Sequence, residues 1–114
     1  MMKKIQKGAI YWTELGEPTT PGILGKRRPC IVFSNEYACQ FSPTVQVLPL
    51  TTTGKKDNPV HLQIEVPGII KPSTVLSESI TSVPKSALLG QPIYQLDEET
   101  LKLLNKAVAI QLAM

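Results

Sequence analysis

Two basic side chains that could hold a phosphate, Arg27 and Arg28, stand directly before an apolar run that ends at Ser34. They are the only arginines in the chain. A second apolar run, residues 42–50, ends in three threonines at 51–53. A planar guanidinium binds two phosphate oxygens at once, and a threonine hydroxyl can donate a hydrogen bond to a third. The segment therefore carries the groups needed to bind and activate a phosphodiester.

The elements that would position these groups are short strands. The β-forming and alternating apolar runs predict strands at residues 7–13, 29–34, 42–50, 60–66, 73–80 and 91–95. Pro84 and Gly90 predict one or two helical turns over 83–89. Asp97 as a cap, two glutamates and an apolar stripe predict a C-terminal helix. Five to seven strands and a final helix favour a small, strongly curved β-barrel with appended helices.

The connections next to the two runs are rich in glycine, proline and charge. Residues 15–27 predict a long flexible loop, and loops of this length in a compact domain are usually functional or disordered. Residues 52–59 predict a polar loop that carries Lys55 and Lys56. Pro49 predicts an edge or a bulge within its strand, because proline cannot donate a hydrogen bond to a sheet.

Size and charge set limits on the class of protein. The 114 residues, 42% of them apolar, predict a single domain that spans residues 1–114. The net charge of +3 is too small to indicate nucleic acid, but residues 1–60 hold eight basic and four acidic groups. Such a basic face would attract phosphates, with ordinary solvated lysines as the alternative.

Several classes of site are not indicated. The two cysteines show no metal-ligand spacing, and we expect Cys30 to be a small core residue. No secretory leader and no apolar run of about 18 residues is present, so the sequence predicts a cytoplasmic protein with no membrane span and no disulfide.

Two further side chains have competing interpretations. The lone histidine, His61, falls between the core positions of an alternating strand. The pattern therefore predicts an exposed histidine on the surface or at a dimer rim. Trp12 could stack on a base, although a barrel-core or interface position is more common.

Several motifs together carry a family resemblance. They are Lys-Gly-x-Ile-Tyr-Trp at 7–12, the Arg-Pro strand with its asparagine at 28–35, the threonine-ended strand at 42–51, and the pieces at 60–65 and 75–80. In order and spacing the chain resembles the MazF/PemK family of bacterial toxins, the endoribonucleases of type II toxin–antitoxin systems. The resemblance implies an SH3-like barrel of the CcdB/PemK-like toxin fold and a homodimer. It also implies sequence-specific cleavage of single-stranded mRNA without a metal or any other cofactor.

The resemblance also implies partners and residue roles. The cognate antitoxin would be an acidic, partly disordered segment, and operator DNA would be bound only in complex with it. Arg28 and Thr51 would be catalytic, and the loop at 16–26 would close over the RNA. The expected RNA contacts are Lys26, Arg27, Asn35, Thr52 and Lys55. Glu78 is one candidate for the general base, although the 2′-hydroxyl could instead lose its proton to phosphate or water. Without the resemblance, Arg28 could equally satisfy loop carbonyls and Thr51 could be a turn residue.

The chain also departs from the family pattern. The stretch 20–25 lacks the acidic-polar-glycine motif that often precedes the arginine, and Thr81 stands where many members have an arginine. The first loop holds no histidine, and 77–83 holds no aspartate–arginine pair, so the chain is closer to the MazF arrangement than to PemK. Two rivals stay open: a CcdB-like, non-catalytic gyrase poison that acts through its last helix, and an inactive nucleic-acid-binding barrel.

Overall fold

The computed structural model describes residues 4–17, 26–52, 61–69 and 73–113. Within them, the strands are β1 Ala9–Glu14, β2 Arg27–Val32, β3 Thr44–Thr51, β4 His61–Ile64, β5 Ser73–Leu76, β6 Thr81–Pro84 and β7 Leu88–Gln95. The α-helices are α1 Glu36–Phe41 and α2 Glu98–Gln111. Two 3₁₀ turns lie at Ser77–Ser79 and Lys85–Ala87.

All paired strands are antiparallel, in the order β4-β5-β3-β2-β1-β7, and β6 also pairs with β3. The long strands β2 and β3 are central. Within the described ranges β4 and β7 do not pair with each other, so the strongly curved sheet is not a closed barrel. The predicted class, mainly β with a C-terminal helix, is confirmed.

The central strands bury both of their faces, because alternate side chains enter two different apolar clusters. Tyr11, Cys30 and Val47 belong to the first cluster. Ile31 and Leu48 belong to the second, which α2 covers with Leu104 and Val108. The apolar runs predicted as strands are continuous for this reason. A fully buried leucine or isoleucine contributes about 2 kcal/mol to folding, so these rows fix the register of β2 against β3.

Pro49 lies in a central strand, and its position has a physical reason. On one side of β3, residues up to Val47 pair with β6, while Leu50 and Thr51 pair with β5. Pro49 stands where this neighbour changes, so its missing N–H removes no ladder bond on that side. The proline marks a break in pairing rather than the edge of the sheet.

Two predicted elements need correction. The predicted helix at 83–89 is one 3₁₀ turn, Lys85–Ala87, because residues 83 and 90 both belong to strands. The predicted strand at 73–80 ends at Leu76 and continues as a second 3₁₀ turn. The short helix α1 was not predicted at all. It begins after Asn35, whose Oδ1 accepts a hydrogen bond from the Ala38 backbone N–H at 2.9 Å.

The C-terminal helix is confirmed with its cap. The Asp97 carboxylate accepts a hydrogen bond from the Thr100 backbone N–H at 2.7 Å. Hydrogen bonding to the Thr100 side chain, and secondly to its backbone N–H, lowers the pKa of Asp97. Leu104, Ala107 and Val108 are buried on the inner side of the helix. Within the described part of the chain, no helix is long and apolar enough to cross a membrane.

Candidate active site

One transverse row of polar side chains crosses the sheet where β2 begins and β3 ends. Arg28 lies opposite Thr13 of β1, and Thr51 lies opposite Thr74 of β5, which in turn faces Gln63 of β4. The paired residues of β2 and β3 run from Val32 and Val47 to Cys30 and Pro49. The same register, continued by two residues, would set Arg28 opposite Thr51. Directly opposed residues share a face, with Cβ atoms about 5 Å apart. The register therefore favours a neighbouring position for the two residues predicted to be catalytic.

The floor of this row is buried. Thr13 and Thr74 are buried, while Arg28 and Thr51 are half-buried. The Thr13 hydroxyl donates a hydrogen bond to the backbone oxygen of Tyr11 at 3.0 Å. Arg28 thus has packing below it and access to solvent above it, which is the setting in which a guanidinium can bind a phosphate and still exclude some water.

Cys30 lies beneath the row, and its pKa is affected by the groups around it. Burial raises the pKa of the Cys30 thiol to about 12, while a hydrogen bond with Thr13 and the positive charge of Arg28 act in the opposite direction. The thiol therefore stays protonated at neutral pH and is not a nucleophile.

The other arginine has a different orientation. Arg27 lies opposite Glu14 and its Nε is 3.6 Å from that carboxylate. Because neighbouring residues of a strand alternate, Arg27 faces away from the Arg28 row. Its side chain is 64% exposed, so this pair adds less than about 1 kcal/mol. The structure does not place Arg27 beside Arg28 at the row.

Lys26 closes the base of the first loop. Its backbone oxygen accepts a hydrogen bond from the Leu15 N–H at 2.7 Å, and its own N–H donates to the Gly16 oxygen. Its φ of 63° is in the left-handed region, which a lysine seldom adopts. The exposed Lys26 side chain therefore stands next to the row, at the root of the loop.

The lone histidine is not on the surface. The His61 side chain is only 7% exposed, and its Nε2 lies 2.5 Å from Oε2 of Glu78. The prediction of an exposed surface histidine is wrong, because β5 ends beside His61 and turns into the 3₁₀ segment that carries Glu78. No sequence pattern predicts a contact between His61 and Glu78, which are 17 positions apart. Sequence reasoning named Glu78 as a candidate base but missed its partner.

The remaining predicted site residues are not gathered at the row. Asn35 lies beyond the other end of β2, as the cap of α1. Thr52 is exposed and follows β3 directly. Lys55 and most of the loop at 16–26 lie outside the described residues. Trp12 is 45% exposed, so a core position is excluded.

The comparisons with known proteins identify the family. A sequence model for the PemK-like, MazF-like toxins of type II toxin–antitoxin systems matches residues 6–112. The chain belongs to this family. It is 30% identical over 113 residues to the endoribonuclease EndoA of Bacillus subtilis, covering 96% of each chain.

Solved PemK-like, MazF-like toxins share the fold. A crystal structure of MazF from Deinococcus radiodurans matches with a TM-score of 0.81 at 18% identity, covering 99% of this chain and 100% of the other. A mycobacterial endoribonuclease in complex with its cognate antitoxin matches with a TM-score of 0.75 at 21% identity, covering 95% and 94%. In the described ranges of the present family member, no group of three His, Cys, Asp or Glu side chains is placed to hold a metal ion.

Proposed function

We propose that this protein is a sequence-specific endoribonuclease toxin that cuts single-stranded mRNA without a metal. One observation supports the proposal: the register of β2 against β3, which pairs Cys30 with Pro49, would set Arg28 opposite Thr51 if it continued for two more residues. The relative at 30% identity is named an endoribonuclease. The proposal includes action in the cytoplasm, where the mRNA substrate would be found.

The chemistry requires few groups. The 2′-hydroxyl of the substrate attacks the adjacent phosphorus, the bond to the 5′-oxygen breaks, and a 2′,3′-cyclic phosphate and a 5′-hydroxyl result. Arg28 binds two phosphate oxygens and stabilises the extra negative charge that develops on them, which is commonly the largest catalytic term. Thr51 donates a hydrogen bond to the same phosphate. Arginine is a poor base, since its pKa exceeds about 12, so Arg28 serves as acid toward the leaving oxygen.

The proposal includes two protein partners. A homodimer would bring together two copies of the site, and an antitoxin with an acidic, partly disordered segment would bind over the basic residues near the row. The solved mycobacterial relative in complex with its cognate antitoxin supports the second partner. Operator DNA would be bound only by the toxin–antitoxin complex.

The test is cleavage of a long single-stranded RNA in the presence of EDTA, with every cut mapped. We expect discrete fragments that end in 2′,3′-cyclic phosphate, and we expect the Arg28→Ala variant to lose them. The same preparations are assayed for inhibition of DNA gyrase. Intact RNA with inhibited gyrase would replace the proposal with a gyrase poison, and intact RNA with active gyrase would leave an inactive binding barrel.

A further inference from the structure

His61 and Glu78 form a contact between an imidazole and a carboxylate, close in the sheet to the Arg28–Thr51 row. His61 and Gln63 are two apart in β4, so they project from the same face. Gln63 belongs to the row itself, through Thr74. His61 is therefore on the Arg28–Thr51 face, one step further toward the buried interior.

The strand order sets the separation that a shared substrate would have to span. β4 lies two strands from β3 and three from β2, which is about 10 Å and about 14 Å at the usual strand spacing. The inference requires a bound ribose and its phosphate to span the space between His61 and the Arg28–Thr51 pair.

The row itself lacks a group that can accept a proton. A guanidinium is a poor base, and a threonine hydroxyl is a weak one. Imidazole is the side chain best suited to accept a proton near neutral pH. The chain has a single histidine, and the structure buries it against a carboxylate on this face.

We propose that the His61 imidazole, oriented by Glu78, is the general base of the proposed ribonuclease reaction. The inference rests on the proposed function. Glu78 contacts Nε2 at 2.5 Å, and a carboxylate there favours the tautomer with hydrogen on Nε2. That tautomer makes Nδ1 the nitrogen that exchanges a proton with the substrate. Glu78 is a positioning residue, since it acts on the substrate only through the imidazole.

The proton transfers of the proposed reaction balance. His61 takes the proton of the 2′-hydroxyl as the new O–P bond forms, and the imidazolium is stabilised by the Glu78 carboxylate beside it. Arg28 gives a proton to the 5′-oxygen as that O–P bond breaks. His61 then releases its proton to water and Arg28 regains one from water, so that both groups return to their starting states.

The experiment measures single-turnover cleavage of a short RNA that contains the mapped cut site. We expect His61→Gln to slow cleavage by about 100-fold or more, the usual size of a lost acid–base group. Binding of the same RNA with a 2′-deoxyribose at the cut should be unchanged. Added imidazole should accelerate cleavage by the His61→Ala variant, because it can occupy the volume that the missing side chain leaves. Added imidazole should not accelerate cleavage by Arg28→Ala.

Glu78 is tested by a spectroscopic readout. Because His61 is the only histidine, its ring nitrogens give unique ¹⁵N signals. The Nε2–H tautomer is expected in the unmodified protein and a shifted tautomer balance in Glu78→Gln, together with slower cleavage. Glu65→Gln makes the same chemical change at an exposed position beyond β4 and should alter neither property.

The outcomes separate this inference from the function on which it rests. If the unmodified protein fails to cut RNA, the proposed function fails. If it cuts, and Arg28→Ala does not, but His61→Gln cuts at the full rate, only the histidine role is overturned. A loss in His61→Gln that comes entirely from weaker RNA binding overturns that role as well. His61→Gln keeps an amide that can contact Glu78, so it tests the role even if His61→Ala does not fold.

Discussion

The two ends of β2 are only a few residues apart, yet they differ in what holds their polar groups. At the first end, Arg28 lies opposite the buried Thr13 of β1, and the continued register of β2 and β3 would set it opposite Thr51. At the other end, Asn35 makes a local bond to Ala38, and Ser34 donates a 2.8 Å hydrogen bond to Gln46. The polar side chains at the second end make hydrogen bonds that stabilise the local backbone structure. The polar side chains at the first end come from separate strands.

This difference shows that cross-strand register, rather than residue type, decides whether a polar side chain belongs to the candidate site or only stabilises the fold. Arg27 and Arg28 are adjacent and chemically identical, but alternation gives them opposite faces. The continued register would set Arg28 opposite Thr51, and Arg27 faces the exposed carboxylate of Glu14. Thr52 is exposed and lies beyond the end of β3, so the strand register does not place it in the row.

The largest effect that tests this comparison is expected from Arg28→Lys. The lysine keeps the positive charge but loses the planar fork that binds two phosphate oxygens. We expect the cleavage rate to fall by about 100- to 1,000-fold, as for the loss of one preorganised donor. The measurement is single-turnover cleavage of an RNA with the mapped site.

Arg27→Lys is the matched control, because it makes the same change one residue away on the opposite face. We expect only a few-fold loss of activity for this variant. If the two lysine variants lost equal activity, the opposing faces of the two arginines would have no catalytic meaning.

A smaller effect is expected from Thr51→Val, which removes the hydroxyl and keeps the shape. A hydrogen bond to a charged group contributes about 1.5–3 kcal/mol, which predicts a 10- to 100-fold slower reaction. Thr52→Val is the control at the exposed neighbour. An unchanged rate in Thr51→Val would contradict a phosphate contact by that hydroxyl and would support the alternative that Thr51 is a turn residue.

The sequence predicts the fold well where a pattern is local. The strands around Ile31 and Leu48 and the Asp97 cap follow from apolar runs and capping chemistry. The Arg28–Thr51 pair was predicted by resemblance, and the register of β2 against β3 favours it. The contact between His61 and Glu78 could not be predicted, because it depends on a 3₁₀ turn and on two strands meeting in space. Helix α1 was missed because six residues are too few to show a helical period.

The smallest effect belongs to the scaffold end of β2 and concerns stability rather than catalysis. Asn35→Ala removes the side-chain cap of α1, so the free energy of unfolding should fall by about 1 kcal/mol in a urea titration. Cleavage at a temperature where both proteins are folded should stay within twofold. Asn35→Asp is the matched control, since aspartate caps as well as asparagine does, and it should keep the stability. A large loss of cleavage in both variants would mean that the amide contacts RNA, as the sequence predicted, and that the second end of β2 also belongs to the site.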